Sequence, residues 1–86
     1  MPYRIEFKPS AAKVFAKLPH EIQRQISVRI NALAFNPRPP GVKALKGAEG
    51  LFRIRSGDYR IIYTVQDRIL LVLVVRIGHR REIYRG

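Results

Sequence analysis

Hydrophobic and polar positions alternate most regularly in residues 51–63, which read Leu-Phe-Arg-Ile-Arg-Ser-Gly-Asp-Tyr-Arg-Ile-Ile-Tyr. Two runs rich in β-branched and aromatic residues flank Gly57-Asp58, a dipeptide that suits the left-handed conformations of a two-residue hairpin turn. A turn of this length places Arg55 opposite Arg60. The other predicted pairs are Ile54 with Ile61, Arg53 with Ile62, and Phe52 with Tyr63.

The two faces of this predicted hairpin differ in character because side chains alternate faces along a strand. One face carries apolar side chains, those of Phe52, Ile54, Ile61 and Tyr63. The other carries Arg53, Arg55 and Arg60. Like charges that lie directly opposite each other destabilise a strand pair. A chain that still gathers three guanidinium groups on one face is predicted to bind an anion there.

The remaining pattern predicts a scaffold around the hairpin. Residues 3–7 alternate like a short half-buried strand, Ser10 is the expected N-cap of a first helix, and Pro19 the expected first residue of a second. Residues 69–75 are apolar on both faces, which is typical of a buried central strand. The apolar stripe of the second helix consists of Ile22, Ile26, Ile30 and Leu33. The prediction is an α+β fold in one domain, residues 1–86, with an N-terminal strand, a two-helix hairpin, an antiparallel sheet of about three further strands and a basic C-terminal tail.

Charge narrows the possible partners. The 86 residues include 17 Lys plus Arg against 6 Asp plus Glu, a formal net charge of +11. Such an excess favours a polyanionic partner such as nucleic acid or the ribosome. The chain lacks Cys, a signal-peptide pattern and an apolar run long enough to cross a membrane, so we expect a cytoplasmic protein without a membrane partner. The few acidic residues have no metal-ligand spacing, and we expect no metal and no cofactor.

The type of cation changes along the chain. All lysines lie at or before Lys46, and every later cationic side chain is Arg or His. Arginine binds phosphate with two parallel hydrogen bonds and stacks on bases, and tyrosines lie among these arginines. This composition is typical of a surface for single-stranded RNA, although arginines that are simply solvated remain the alternative. Further cations predicted to contact RNA are Lys43, Lys46, Arg76, Arg81 and Arg85.

Two residues near the end of the chain are candidates for chemistry beyond charge. His79 follows the apolar strand beside two arginines, and neighbouring cations favour the neutral imidazole that a general base needs. A histidine that only packs or binds phosphate is the alternative. Tyr84 is the better tyrosine candidate for stacking on a base.

Several segments together resemble the RelE branch of the RelE/ParE toxins. They are Leu-Lys-Gly at 45–47, Tyr-Arg-Ile-Ile-Tyr at 59–63, and Arg-x-Gly-His-Arg-x-x-x-Tyr at 76–84. The resemblance extends over nearly the whole chain. It implies a toxin that enters the ribosomal A site and cuts mRNA. It also implies a RelB-like antitoxin partner with an acidic or amphipathic segment, and contact with operator DNA only through that antitoxin.

The resemblance also implies site residues. The family's two strand lysines correspond to Arg53 and Arg55, its strand arginine to Arg60, its tail arginine to Arg80 and its tail tyrosine to Tyr84. These five residues and His79 form the expected catalytic set. The implied reaction is attack of the RNA 2′-hydroxyl on the adjacent phosphorus, without a metal, giving a 2′,3′-cyclic phosphate.

This chain departs from the family by having arginine at both of these lysine positions. The departure matters because one of the family's lysines has been proposed as the base. Arginine effectively never gives up its proton. Either His79 or Tyr84 then supplies the base, or the reaction relies on positioning and charge. Alternatives to an endoribonuclease are a ParE-like toxin that inhibits DNA gyrase and a catalytically weak module that binds RNA or the ribosome.

Overall fold

The computed structural model describes residues 2–45 and 50–79. Its elements are strand β1 (Arg4–Phe7), helices α1 (Pro9–Ala16) and α2 (His20–Ala32), strands β2 (Lys43–Ala44), β3 (Leu51–Ser56) and β4 (Tyr59–Gln66), a 3₁₀ turn (Asp67–Ile69) and strand β5 (Leu71–His79). The strands form one sheet in the order β1-β5-β4-β3-β2. The predicted α+β architecture is confirmed, with five strands in a mixed sheet.

Strand β2 is the element that the sequence did not predict. Its two residues pair antiparallel with β3, Lys43 with Arg53 and Ala44 with Phe52. The Leu45 N–H extends this pairing by donating to the Leu51 carbonyl at 3.0 Å. A two-residue strand has no side-chain period, so hydrophobic patterning cannot detect it.

Strand β5 is the central strand that its apolar pattern predicts. It pairs in parallel with β1 and antiparallel with β4, so both of its edges are covered along Leu71–Val74. Its start differs from the prediction, because Ile69 belongs to the turn and Leu70 adopts a left-handed conformation with φ of 52°. A bulge opposite Ile62 and Tyr63 shifts the register within β5.

The helices cover one face of the sheet with the predicted stripe. In α2, Ile26 and Ile30 are fully buried and Ile22 packs partly buried against the same core. The prediction of Ser10 as an N-cap is wrong. Pro9 is the first residue of α1, where the missing backbone donor costs nothing, and the residue before it makes no side-chain cap. None of the described helices is long and apolar enough to cross a membrane.

The segment between α2 and β2 is tied down at two points. The Tyr63 hydroxyl, fully buried in the core, donates to the Pro37 carbonyl at 2.7 Å. Arg38 donates to both carboxylate oxygens of Asp67, at 2.9 and 3.3 Å. Asp67 also accepts from the Tyr3 hydroxyl at 2.5 Å. Arg38 and then Tyr3 lower the pKa of Asp67 through these bonds. This segment is therefore fixed to the sheet and to the β4–β5 turn.

The contribution of the Tyr63 hydroxyl to the stability of this arrangement can be tested. Burial raises the pKa of Tyr63 from 10.0 to about 12. Because the folded pKa exceeds the unfolded one, the neutral phenol contributes stability below about pH 10 that is lost as pH rises toward 12. We expect Tyr63→Phe to lower the free energy of unfolding by about 1 kcal/mol at pH 7, because the Pro37 carbonyl loses its hydrogen-bond donor.

Denaturant unfolding of both proteins between pH 7 and 12 tests this expectation. The difference in unfolding free energy between them should shrink above pH 10, since only the wild-type chain has this phenol to ionise. Ionisation of lysines affects both proteins equally and cancels in the comparison. A constant difference across that range would contradict the assignment.

Candidate active site

The β3–β4 hairpin has the register that the sequence predicts. Arg55 lies opposite Arg60, and the pairs Ile54–Ile61, Arg53–Ile62 and Phe52–Tyr63 are all present. Gly57, the first central residue of the turn, has φ of 59°. A glycine in this position is typical of a type II′ turn, whose twist matches that of the flanking strands. The two-residue turn is confirmed, with Gly57 alone of the two central residues at positive φ.

The register separates the two faces as predicted. Ile54 and Ile61 are 2% and 0% exposed beneath the helices. The opposite face gathers Arg53, Arg55 and Arg60, and Lys43 joins them because it pairs with Arg53. These four cations line one depression of about 200 Å³. The sequence predicted all four as site residues.

The cations of this depression differ in exposure. Arg60 is only 5% exposed and forms the floor, whereas Arg53 is half-buried. Arg55 and Lys43 are exposed at the rim. Arg53 and Arg60 both take part in further contacts. A fixed guanidinium at the floor with movable cations above it can bind a phosphate from several sides.

Two further residues contribute to the site although sequence patterns did not single them out. Gly41 lines the depression with φ of 88°, a conformation that favours glycine. Its position directly after two prolines was the available signal for a turn. Arg29 of α2 donates from Nε to the Arg55 carbonyl at 3.2 Å. Helical spacing marks Arg29 as off the apolar stripe but cannot say which strand it reaches.

Comparison with known proteins identifies the family. Residues 5–84 match the family described as the ParE toxin of the type II toxin–antitoxin system parDE. The chain is 31% identical over 86 residues to Toxin RelG of Mycobacterium tuberculosis, with 99% of each protein covered. It is also 31% identical over 88 residues to the mRNA interferase toxin RelE of Escherichia coli K12, covering 98% of this chain and 92% of that protein.

The fold agrees with the sequence matches. The archaeal RelE–RelB complex from Pyrococcus horikoshii OT3 contains a chain that superposes with a TM-score of 0.81 at 28% identity, covering 93% of this chain and 97% of the other. The chain belongs to the RelE branch of the RelE/ParE toxin superfamily.

His79 does not join the arginines of this RelE-branch chain. It pairs with Tyr59, and their rings meet edge to face with centroids 5.6 Å apart. Tyr59 packs against the core on the helix-covered face. Gly78, not His79, lies opposite Arg60. The side chain of His79 therefore lies on the face opposite the arginine cluster, because side chains alternate along the strand, and its catalytic role remains a prediction.

Arg76 lies on the same face as the cluster, because its partner Ile62 also pairs with Arg53. It pairs with Ile62 at the bulge, and it lines a different depression together with Ser10 and Val14 of α1. The other predicted site residues lie outside the described residues, and their roles remain predictions. They are Lys46, Arg80, Arg81, Tyr84 and Arg85.

The opposed arginines of the RelE-branch hairpin predict a stability cost. Arg55 is exposed and faces Arg60 directly. We expect Arg55→Gln to raise the free energy of unfolding by about 0.2–1 kcal/mol at low salt. The gain should largely vanish at about 1 M salt, where charges are screened within about 3 Å.

Denaturant unfolding at the two salt concentrations measures this effect. Arg68→Gln, which removes an exposed arginine from the turn before β5, is the matched control and should show a smaller salt-dependent gain. Equal effects of the two substitutions would mean that the opposed pair carries no special repulsion.

Proposed function

We propose that this chain is the toxin of a type II toxin–antitoxin pair and that it inhibits translation by cutting mRNA in the ribosomal A site. The supporting observation is the convergence of Lys43, Arg53, Arg55 and Arg60 on one depression in a RelE-branch chain. The E. coli relative is named an mRNA interferase. A dense group of cations matches the charge of an RNA backbone.

In the proposed reaction the RNA's 2′-hydroxyl attacks the adjacent phosphorus in line. The products are a 2′,3′-cyclic phosphate and a 5′-hydroxyl end, and no metal takes part. Arg53, Arg55 and Arg60 stabilise the charge that develops on the non-bridging phosphate oxygens. Electrostatic stabilisation of this kind is often the largest single contribution to catalysis.

The remaining proposed roles rest on the resemblance to RelE-like toxins. Arg80 holds the scissile phosphate or protonates the leaving oxygen. Tyr84 stacks on a base and keeps the attacking group aligned, an effect that can lower the barrier strongly. Arg76, Arg81, Arg85 and Lys46 contribute contacts to the backbone of mRNA or ribosomal RNA. His79 has no catalytic role in this proposal, because its side chain lies on the helix-covered face.

A second candidate follows from the matching family, whose description names the ParE toxin. A ParE-like toxin inhibits DNA gyrase and needs no nuclease chemistry. A gyrase supercoiling assay run beside an mRNA cleavage assay separates the two activities. We favour RNA cleavage, because it accounts for the arginine cluster and its depression.

Primer extension on a defined mRNA in a translating extract tests the proposal. We expect the purified protein to produce new stops inside codons at the A site. The new 5′ ends should accept a label from polynucleotide kinase without prior phosphatase treatment. Arg55→Ala should slow cleavage by about 10²-fold or more, as expected when one stabilising donor is removed.

Arg68→Ala provides the control, since this exposed arginine lies on the turn between β4 and β5 and outside the depression. It should cleave at the wild-type rate. Circular dichroism checks that both variants are folded. A wild-type protein that leaves the mRNA intact but blocks translation would support the alternative of a catalytically weak ribosome-binding module.

The same proposal includes a cognate antitoxin, which we expect to resemble RelB and to carry an acidic or amphipathic segment. Archaeal RelE is known in complex with RelB, and a chain of net charge +11 favours an acidic partner. We expect induced expression of this chain to arrest growth, and co-expression of the neighbouring small acidic reading frame to restore it. Growth arrest that the Arg55→Ala variant causes equally well would count against cleavage as the cause.

A further inference from the structure

The proposed cleavage requires a proton for the leaving 5′-oxygen, and the described residues of the depression can be compared as its donor. When the bond between phosphorus and the 5′-oxygen breaks, that oxygen departs as an alkoxide unless something protonates it. A guanidinium is a poor proton donor because it effectively never loses its proton in proteins. Arg53, Arg55 and Arg60 can therefore stabilise charge on the phosphate but are poorly suited to supply this proton.

Lys43 is the one group of different chemistry among the described cations of the depression. It lies directly opposite Arg53 across the β2–β3 pair and lines the same depression as Arg55 and Arg60. An ammonium is protonated at neutral pH and gives up its proton far more readily than a guanidinium. Lysine also has three rotatable donors on a flexible stem, which lets one proton reach an oxygen that moves during the reaction.

The position of Lys43 fits a departing oxygen. Arg60 lies at the floor of the depression and Lys43 at its exposed rim. In-line attack places the attacking and leaving oxygens on opposite sides of the plane of the non-bridging oxygens, so a phosphate whose non-bridging oxygens rest on the floor presents these two oxygens to opposite sides of the depression, and Lys43 lies on one of those sides. We propose that Lys43 is the general acid that protonates the 5′-oxygen as the P–O5′ bond breaks, an inference that rests on the proposed RNA cleavage.

The proton balance of this step is complete. The 2′-hydroxyl loses its proton to water and its oxygen forms the new bond to phosphorus. The electrons of the P–O5′ bond leave with the 5′-oxygen, which takes a proton from Nζ of Lys43. The resulting amine regains a proton from water, so the enzyme returns to its starting state.

Substitution of the leaving atom tests this role directly. In a synthetic mRNA whose scissile linkage carries sulfur in place of the 5′-oxygen, the leaving thiolate is stable without protonation, because thiols have pKa values near 8.5. Single-turnover cleavage is measured on purified ribosomes programmed with the normal or the 5′-thio mRNA. The proteins compared are wild type, Lys43→Arg and Lys43→Ala, with Lys13→Arg on the exposed side of α1 as the matched control.

We expect Lys43→Arg and Lys43→Ala to cleave the normal mRNA about 10²-fold more slowly than wild type, within the range typical of general acid catalysis. Wild type, Lys43→Arg and Lys13→Arg should cleave the 5′-thio mRNA at similar rates, whereas Lys43→Ala should keep a smaller defect there because it also loses a charge that binds the phosphate. Lys43→Arg keeps the positive charge, so its slow cleavage of the normal linkage separates proton transfer from phosphate binding. Filter binding to programmed ribosomes confirms that this variant still associates.

Two results would overturn the inference. Lys43→Arg cleaving the normal mRNA at the wild-type rate would mean that Lys43 contributes charge only. A defect of equal size on both linkages in Lys43→Arg would mean that Lys43 positions the substrate or supports the fold. A wild-type protein that cuts neither mRNA would instead contradict the proposed function itself.

Discussion

The alternation of side chains in the β3–β4 hairpin places apolar residues and arginines on opposite faces of the sheet. The two-residue turn at Gly57 fixes the pairing register, and with it the face on which each side chain lies. A register slip of one residue would turn the guanidinium groups toward the helices and the isoleucines toward solvent. Ile54 and Ile61 are almost completely buried, so such a slip would remove them from the core and bury charges in their place. The hydrophobic core therefore enforces the arrangement of charges on the far side of the sheet.

The loop between α2 and β2 connects the hydrophobic core to the rim of the depression. It is held by the buried Tyr63 hydroxyl and by the two hydrogen bonds from Arg38 to Asp67. The segment fixed in this way leads directly into Gly41 and Lys43. Lys43 itself is exposed and lies on a two-residue strand, so its backbone position depends on contacts made several residues earlier. Core packing and site geometry are thus linked through one short tether.

Sequence patterns predicted most of the fold because its main elements bury regular stripes. The spacing of Ile26 and Ile30 defined α2, and the alternation of Ile54 with arginines defined β3. Features that depend on irregular geometry were not predictable. The bulge in β5, the turn through Ile69 and the two-residue β2 leave no periodic trace in the sequence. Tertiary contact, not local propensity, decides each of them.

In the site too, residues in regular strands were predictable from the sequence and residues beyond irregular geometry were not. Side-chain period assigned Arg53, Arg55 and Arg60 to one face, because all three lie in a hairpin with a short turn. The face of His79 could not be assigned from the sequence, since that assignment requires the position of the bulge in β5 opposite Ile62 and Tyr63. Each bulge reverses the alternation that follows it. A residue beyond an unknown number of bulges cannot be assigned to a face by counting.

The central position of β5 affects the order in which the sheet can form during synthesis. β5 is the last described element in the sequence, yet it lies between β1 and β4 and is the strand that joins them. A two-stranded hairpin alone is marginally stable in water, and contacts between distant parts of a chain form late. A ribosome synthesising this protein therefore exposes β5 only after the other described elements have emerged. Because β5 joins β1 to β4, the sheet that holds the cationic surface can be completed only after β5 has emerged.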